Sequence, residues 1–462
     1  MPFYDLVVKN GTVVSAFGTV NADIAIRNGK IASLGDNFNA KEVIDAKNLL
    51  VFPGGVDVHT HLDMPFMGTF SSDDFESGSI AALYGGTTAI VDFAMQEKNS
   101  SLENTLLKWM NKADGKSLID YGLHMSVTDV NTSTLSEIKS LVKRGITTFK
   151  LFMAYNFACN DLEILRVLEE LKDCGGLPLF HAENGNMITY LTEKLLFQSK
   201  VDAFYHKIAH SEIAESEATF RAVALAELIS IPIYIVHLSS HRALEHIIVA
   251  RRKGVSVFSE TCPQYLLLTD EKYKGDFYES SKYVMSPPLR EKRDNQALWN
   301  GIENGFIQVI ATDHCPFLMK QKILGDSDFT KIPNGIPGIE TRISLMYSEG
   351  VAKKRISLKR FVEICCTNPS ILMGLYPRKG IIACGADADI VLFDPKAKYT
   401  LTNDKLHHKC DYTPFEGFKI TGSVVKVIVK GDVKLADGQL LNKDCQGTFI
   451  KRNNDKAYGK FL

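Results

Sequence analysis

Gly55-Val56-Asp57-Val58-His59-Thr60-His61 ends an apolar run with two histidines two residues apart. In an extended strand, residues i and i+2 face the same side, so both imidazoles can reach one metal ion. A His-x-His pair also arises by chance, and the rest of the chain has to decide between the two readings. Lys150, His181, His237 and Asp313 each stand at or near the end of another apolar run. Six potential ligands or proton carriers delivered from separate strand ends are the layout of a metal site at the mouth of a (β/α)8 barrel.

The segments around these residues support that layout. Thr88–Phe93, Thr148–Phe152, Leu177–His181, Ile233–His237, Ser256–Glu260 and Ile307–Asp313 are strand-like, with helical stretches such as Leu162–Lys172 and Ala218–Leu228 between them. Strand–helix alternation means a parallel sheet, and about eight units favour a closed barrel over an open one. No G-x-G-x-x-G or Walker loop points to a nucleotide fold. Residues 5 to 50 read instead as short strands with turns at Gly11, Asn28-Gly29 and Gly35-Asp36. That pattern returns at Ile390–Phe393 and Val424–Val429. The expected architecture is therefore α/β, a TIM-like barrel over residues 52–376 with a smaller β-sandwich domain built from both termini. The sandwich takes residues 1–51 and 377–440, and residues 441–462 read as a C-terminal tail or an oligomer arm.

Bulk properties exclude several classes. A chain of 462 residues with 45% hydrophobic and 23% charged residues is globular in composition. A net charge of −1 gives no reason to expect nucleic acid or an anionic membrane as partner. No run of 18 apolar residues offers a membrane span, and the first residues carry no signal-peptide pattern. Nine scattered cysteines without CxxC spacing fit reduced thiols in a cytoplasm.

An ordered series of motifs runs through the chain. It comprises Phe52–His61, Gly85-Gly86-Thr87-Thr88, Phe149–Tyr155, His181-Ala182-Glu183-Asn184-Gly185, Glu260–Tyr265, Ser286-Pro287-Pro288-Leu289-Arg290, Asp313-His314-Cys315, Pro333-Asn334-Gly335 and Asp387–Val391. Together they resemble the dihydropyrimidinase/hydantoinase family of metal-dependent cyclic amidohydrolases. The resemblance implies two zinc ions per chain: His59, His61 and Asp313 on the more buried one, His181 and His237 on the outer one. Lys150, carboxylated by CO2 to a carbamate, would bridge both. Its position is argued independently, because burial lowers a lysine pKa and yields the neutral amine that captures CO2. A snorkelling or salt-bridged lysine is the plainer alternative. For His181 and His237 the alternative is a hydrogen-bonded core histidine, and for Asp313 a helix N-cap. His314 follows Asp313 and would support the ligands from behind. His124, His206, His210, His241, His246, His407 and His408 read as structural or surface residues.

The implied reaction is hydrolysis of the cyclic amide of dihydropyrimidines and 5-substituted hydantoins to N-carbamoyl amino acids. In the family's mechanism a metal-bridging hydroxide attacks the carbonyl, Asp313 shuttles the proton, and Tyr155 donates a hydrogen bond to the oxyanion. Backbone at Ser286 and Asn334 would read the ring's imide edge. Met64, Pro65 and Phe66, with Phe152 and Phe157, would form an apolar gate around the ring substituent; plain loop packing is the alternative. Tyr155–Asn160 departs from the family pattern in length and composition. Dihydroorotase and allantoinase are related readings, but Asp63 stands where dihydroorotases carry an arginine for the substrate carboxylate. A non-catalytic scaffold is a further reading, opposed by the intact set of six residues. Small cyclic ureides would be the substrates, and a homotetramer is the expected assembly.

Overall fold

The computed structural model describes residues 3–325, 328–444 and 446–453. Eight parallel strands form its centre: Gly55–Thr60, Thr87–Met95, Asp120–Val127, Thr148–Phe152, Leu177–His181, Ile233–Ile235, Val257–Thr261 and Val309–Ile310, each paired with the next. The first and last meet where His61 N donates to His314 O (2.9 Å) and the Thr312 hydroxyl donates to Asp57 Oδ2 (2.6 Å). The sheet thus closes into the expected (β/α)8 barrel.

Strand alternation divides the barrel into two apolar layers. Phe149, Leu151, Phe180, Ile233 and Ile235 pack outward into the helical shell, whereas Ala89, Val91, Leu177, Leu179, Tyr234, Phe258 and Val309 form an inner cluster. Each large side chain buried this way contributes about 1.5–3 kcal/mol. Lys150 lies between Phe149 and Leu151 in the sequence, so the same alternation turns it inward.

One irregularity matters for the site. Ile90 pairs with Asp57 but Asp92 pairs with Thr60, so the first strand holds one residue more than its neighbour. This bulge lets Val58 and His59 both serve the interior: Val58 joins the inner cluster while the His59 ring packs 4.6 Å from Phe93. Bulges beside active sites commonly re-aim a side chain in this manner.

The termini build two facing sheets. Lys30–Gly35, Asp23–Arg27, Phe3–Lys9 and Asn39–Asp45 form one; Gln439–Leu440, Asp432–Ala436, Lys419–Val429, Ile390–Thr400, Leu50–Pro53, Thr12–Ser15 and Gly18–Asn21 form the other. Leu6, Val8, Ile24 and Ile26 meet Val13, Val51, Ile390, Leu392 and Ile428 in a shared core, which makes the pair a sandwich. The boundary drawn at 51/52 falls inside a strand, since Phe52 pairs with Val391 and Pro53 with Ile390. Lys379 ties the sandwich to the barrel: its ammonium lies 2.8 Å from Asp120, 3.0 Å from Asp387 and 2.7 Å from Asp389.

Part of the stretch read as an oligomer arm does something else. Residues 446–453 run along the chain's own barrel, with Tyr121 N donating to Thr448 O (3.1 Å) and Ile450 N donating to Tyr121 O (2.7 Å). Ile450 and Arg452 are buried on the inward side of this segment, and Ile450 joins the inner barrel cluster. Its alternating pattern gives it a strand-like inner face, so it covers the barrel floor instead of reaching outward. Residues 454–462 lie outside the described residues. Among the described residues no helix is long and apolar enough to cross a membrane.

Candidate active site

At the carboxyl ends of the barrel strands, three donor atoms converge. His59 Nε2 and His61 Nε2 are 3.2 Å apart, and Asp313 Oδ1 lies 3.1 Å from each. Two imidazoles and a carboxylate aimed at one point suit a divalent cation. His59 turns its Nδ1 to Glu260 Oε1, so its Nε2 faces the group. Glu260 is itself fixed by the Tyr234 hydroxyl (2.8 Å) and His237 N (3.2 Å). Such carboxylate–histidine pairs set the tautomer of a ligating imidazole.

Lys150 Nζ stands 3.2 Å from His59 Nε2 and 4.2 Å from the centre of the Phe93 ring. Burial pushes its pKa down to about 8. A second pair of nitrogens lies beyond it: His181 Nδ1 and His237 Nε2 are 2.9 Å apart. Burial holds His237 well below the ordinary imidazole pKa and takes His61 to about 4, so both offer neutral lone pairs. The Nδ1 atoms of His61 and His237 are buried without a hydrogen-bond partner among the described residues. Burial alone would raise the Asp313 pKa, but the His59 and His61 imidazoles hold its carboxyl well below the usual range.

Backbone geometry positions two of these groups. His237 and Asp313 have φ of 39° and 53°, left-handed values that cost a non-glycine residue about 1–3 kcal/mol. No helix begins at Asp313, so the cap alternative falls away.

The cleft encloses about 50 Å3 and is lined by His61, Lys150, His181, His237 and Asp313 together with Tyr155, Ser286 and Asn334. Met64, Phe66, Phe152 and Phe157 complete its apolar wall. Tyr155 stacks on Phe157 at 5.3 Å, Phe157 meets Phe152 edge-on at 5.0 Å, and Phe66 meets Tyr155 at 6.0 Å. The short loop carrying these rings is stitched at its base by Cys159 N donating to Phe152 O (2.9 Å). Asn160 then caps helix Asp161–Cys174 in a reciprocal box with Glu163. Tyr155 shares the cleft wall with Ser286 and Asn334, and burial raises its pKa well above the usual value, which keeps it a proton donor. The structure therefore brings together every residue singled out from the sequence except Pro65, which lines the broader cleft just outside with Phe66 and Phe157.

Sequence reasoning assigned no role to several supporting residues. Glu183 Oε2 accepts from His181 Nε2 (2.9 Å) and its Oε1 meets His210 Nδ1 (3.0 Å). The i, i+2 spacing of His181 and Glu183 was the available signal. Of the structural and surface alternatives, His206 and His210 take the structural one: both are buried, with His206 bonded to Met285 O. His314 Nδ1 accepts from Gly338 N (3.0 Å), so its Nε2 proton faces Asp73 (3.0 Å); it braces the loop that carries Asp313. Both nitrogens of His124 are engaged, by Thr148 and Val58 O, as a structural residue requires.

Residues 50–434 match the amidohydrolase family, and residues 2–58 match the urease alpha-subunit N-terminal domain. A D-hydantoinase of Geobacillus stearothermophilus is 47% identical over 96% of both chains. The chain belongs to the dihydropyrimidinase/hydantoinase family of amidohydrolases. A D-hydantoinase of Streptomyces coelicolor is 43% identical over 96% of this chain and 97% of its own. The crystal structure of dihydropyrimidinase from Brevibacillus agri superimposes with a TM-score of 0.96, at 44% identity, over 97% of this chain and 98% of that one. As a member of this family the chain is a metal-dependent cyclic amidohydrolase.

Proposed function

We propose that the chain opens dihydropyrimidine and 5-substituted hydantoin rings to N-carbamoyl amino acids, using two zinc ions held by His59, His61 and Asp313 and by His181 and His237. The convergence of His59 Nε2, His61 Nε2 and Asp313 Oδ1 within 3.2 Å carries this reading. The donor set fits zinc, with neutral imidazoles, a carboxylate and partners fixing ring orientation. Lys150, placed between the two groups and reduced in basicity by burial, is suited to carbamate formation with CO2 and to bridging. When bound, the metals would polarise the carbonyl and lower the pKa of water.

The chain's own residues account for the remaining steps. Asp313 takes a proton from the attacking water and returns it to the departing ring nitrogen, while the carbonyl carbon gains the water's oxygen. Tyr155 donates a hydrogen bond from its hydroxyl to the oxygen that becomes negative. Backbone at Ser286 and Asn334 meets the imide edge, and Met64, Pro65, Phe66, Phe152 and Phe157 surround the substituent. Asp63 pairs with Lys112 (3.3 Å), and no arginine lines the cleft among the described residues, which favours an uncharged ring over one bearing a carboxylate. Exposed Phe197, Phe220 and Leu228 supply apolar surface for a homotetramer, and the free cysteines suit a reducing cytoplasm.

The test is kcat/KM for dihydrouracil against D-5-phenylhydantoin on one zinc- and bicarbonate-loaded sample. Preference for dihydrouracil marks a catabolic dihydropyrimidinase; preference for the hydantoin marks a broad hydantoinase. Turnover of neither overturns the proposal.

A further inference from the structure

Lys322 ends the short helix Met319–Lys322 and has no exposed surface. Its ammonium donates to two backbone carbonyls, Val284 O and Pro333 O, each at 2.7 Å. Among the described residues no carboxylate lies within ion-pair distance of it. A buried ammonium satisfied only by neutral carbonyls is costly, and burial pushes this one down to about 7. An apolar side chain of similar length would fill the same space beside Phe317 more cheaply. The charge is therefore poorly explained by stability.

The two carbonyls explain it better. Val284 lies two residues before Ser286, and Pro333 immediately precedes Asn334. These segments come from distant parts of the chain, yet they are sewn together at one place. Gly335 N also donates to Val284 O (3.0 Å), and Asn334 Nδ2 donates to Ser286 Oγ (3.0 Å). Gly335 has φ of 149°, and a Cβ there would stand 2.3 Å from Cys315 O, so the second segment is pressed against the residues following Asp313 as well. Lys322 is the only side chain that bonds to both segments from behind among the hydrogen bonds of the described residues.

We propose that Lys322 is a positioning residue that sets the separation of the Ser286 and Asn334 backbones, and thereby the fit of the substrate's imide edge. This rests on the reading that those two backbones meet the ring. Its test uses competitive inhibition by uracil, which presents the imide edge, and by 3-methyluracil, in which the imide N–H is replaced. The ratio of the two inhibition constants is measured for the metal-loaded wild type, Lys322→Met and Lys322→Gln, together with zinc content per chain. The expected result is a strong wild-type preference for uracil that falls by about tenfold in both variants at unchanged zinc content. If Lys322→Met does not fold, Lys322→Gln, which keeps a neutral donor, carries the same comparison. A wild-type preference that either folded variant retains in full overturns the role of Lys322 while leaving the ring contacts standing. Equal wild-type affinities for both compounds overturn the ring contacts and the Lys322 proposal together.

Discussion

Glu183 grips His181 by the ring nitrogen that faces away from the cleft: Oε2 lies 2.9 Å from Nε2, leaving Nδ1 turned toward His237. The carboxylate is fully buried and also holds His210. Glu183→Gln can present an amide N–H to the same nitrogen and so favour the wrong tautomer. We expect zinc affinity at the outer pair to fall about 10–100-fold, with the His59 group retained. Zinc content after dialysis against a weak chelator measures this, and full retention of two metals would refute it.

Lys150→Ala removes the group between the two sets of donors. Loss of more than about a thousandfold in kcat/KM is expected, with partial recovery on adding a short carboxylate such as acetate to occupy the gap. Full activity in a variant still carrying two metals would show that no bridge from Lys150 is needed.

Tyr155→Phe deletes one hydroxyl and leaves the ring stacked on Phe157 and edge-on to Phe66. If that hydroxyl stabilises the oxyanion, kcat drops about 100–1000-fold while zinc content stays the same. A change confined to KM would instead place Tyr155 in ground-state binding.

Lys379 sits among Asp120, Asp387 and Asp389 where the sandwich meets the barrel. Although burial opposes it, Lys379 holds the pKa values of Asp120 and Asp387 below the ordinary value, and the carboxylates raise that of Lys379. The carboxylate contribution to stability is complete above the unfolded pKa of about 3.9 and is lost as pH falls through the folded values. The lysine contribution is complete below about 10.4 and is lost as pH rises through its raised folded value. Lys379→Met should cost about 3 kcal/mol near neutrality because it leaves buried carboxylates underpaired. The gap in Tm between wild type and variant should be flat from about pH 5 to 9 and narrow in stronger acid. Thermal melts across that range decide it; a gap that widens in acid would contradict the assignment.

Residues carried on regular strands were legible in the sequence because alternation fixes their side. His181 follows Leu177 and Leu179 inward, and Lys150 is turned in by the outward Phe149 and Leu151. His59 is a partial exception: its neighbour Val58 also packs inside, and only the bulge against the second strand reconciles the two. Glu183, Glu260 and Lys322 carry no role legible in the sequence, for a different reason. Their roles are defined by what they touch across the fold, such as Lys322 on Val284 and Pro333, and no local period encodes such a contact. The segment around Ile450 and Arg452 reads as a tail or an arm because its surroundings are polar and charged; its alternation is present but short.

The sandwich is assembled from opposite ends of the message. Lys30 bonds to Asp387, 357 positions later, and Leu50–Pro53 is flanked by a strand that emerges only after the whole barrel. On the ribosome, Leu50–Pro53 must leave the tunnel with one edge open and wait through the synthesis of all eight barrel strands before Ile390–Thr400 arrives to pair with it. The floor segment, residues 446–453, comes later still. Folding of this chain is therefore dominated by distant pairings, which makes it slow and leaves apolar edges open during translation. A nascent chain stalled just past His314 would hold a nearly complete barrel beside an unpaired strand, a natural target for a chaperone that recognises exposed β edges.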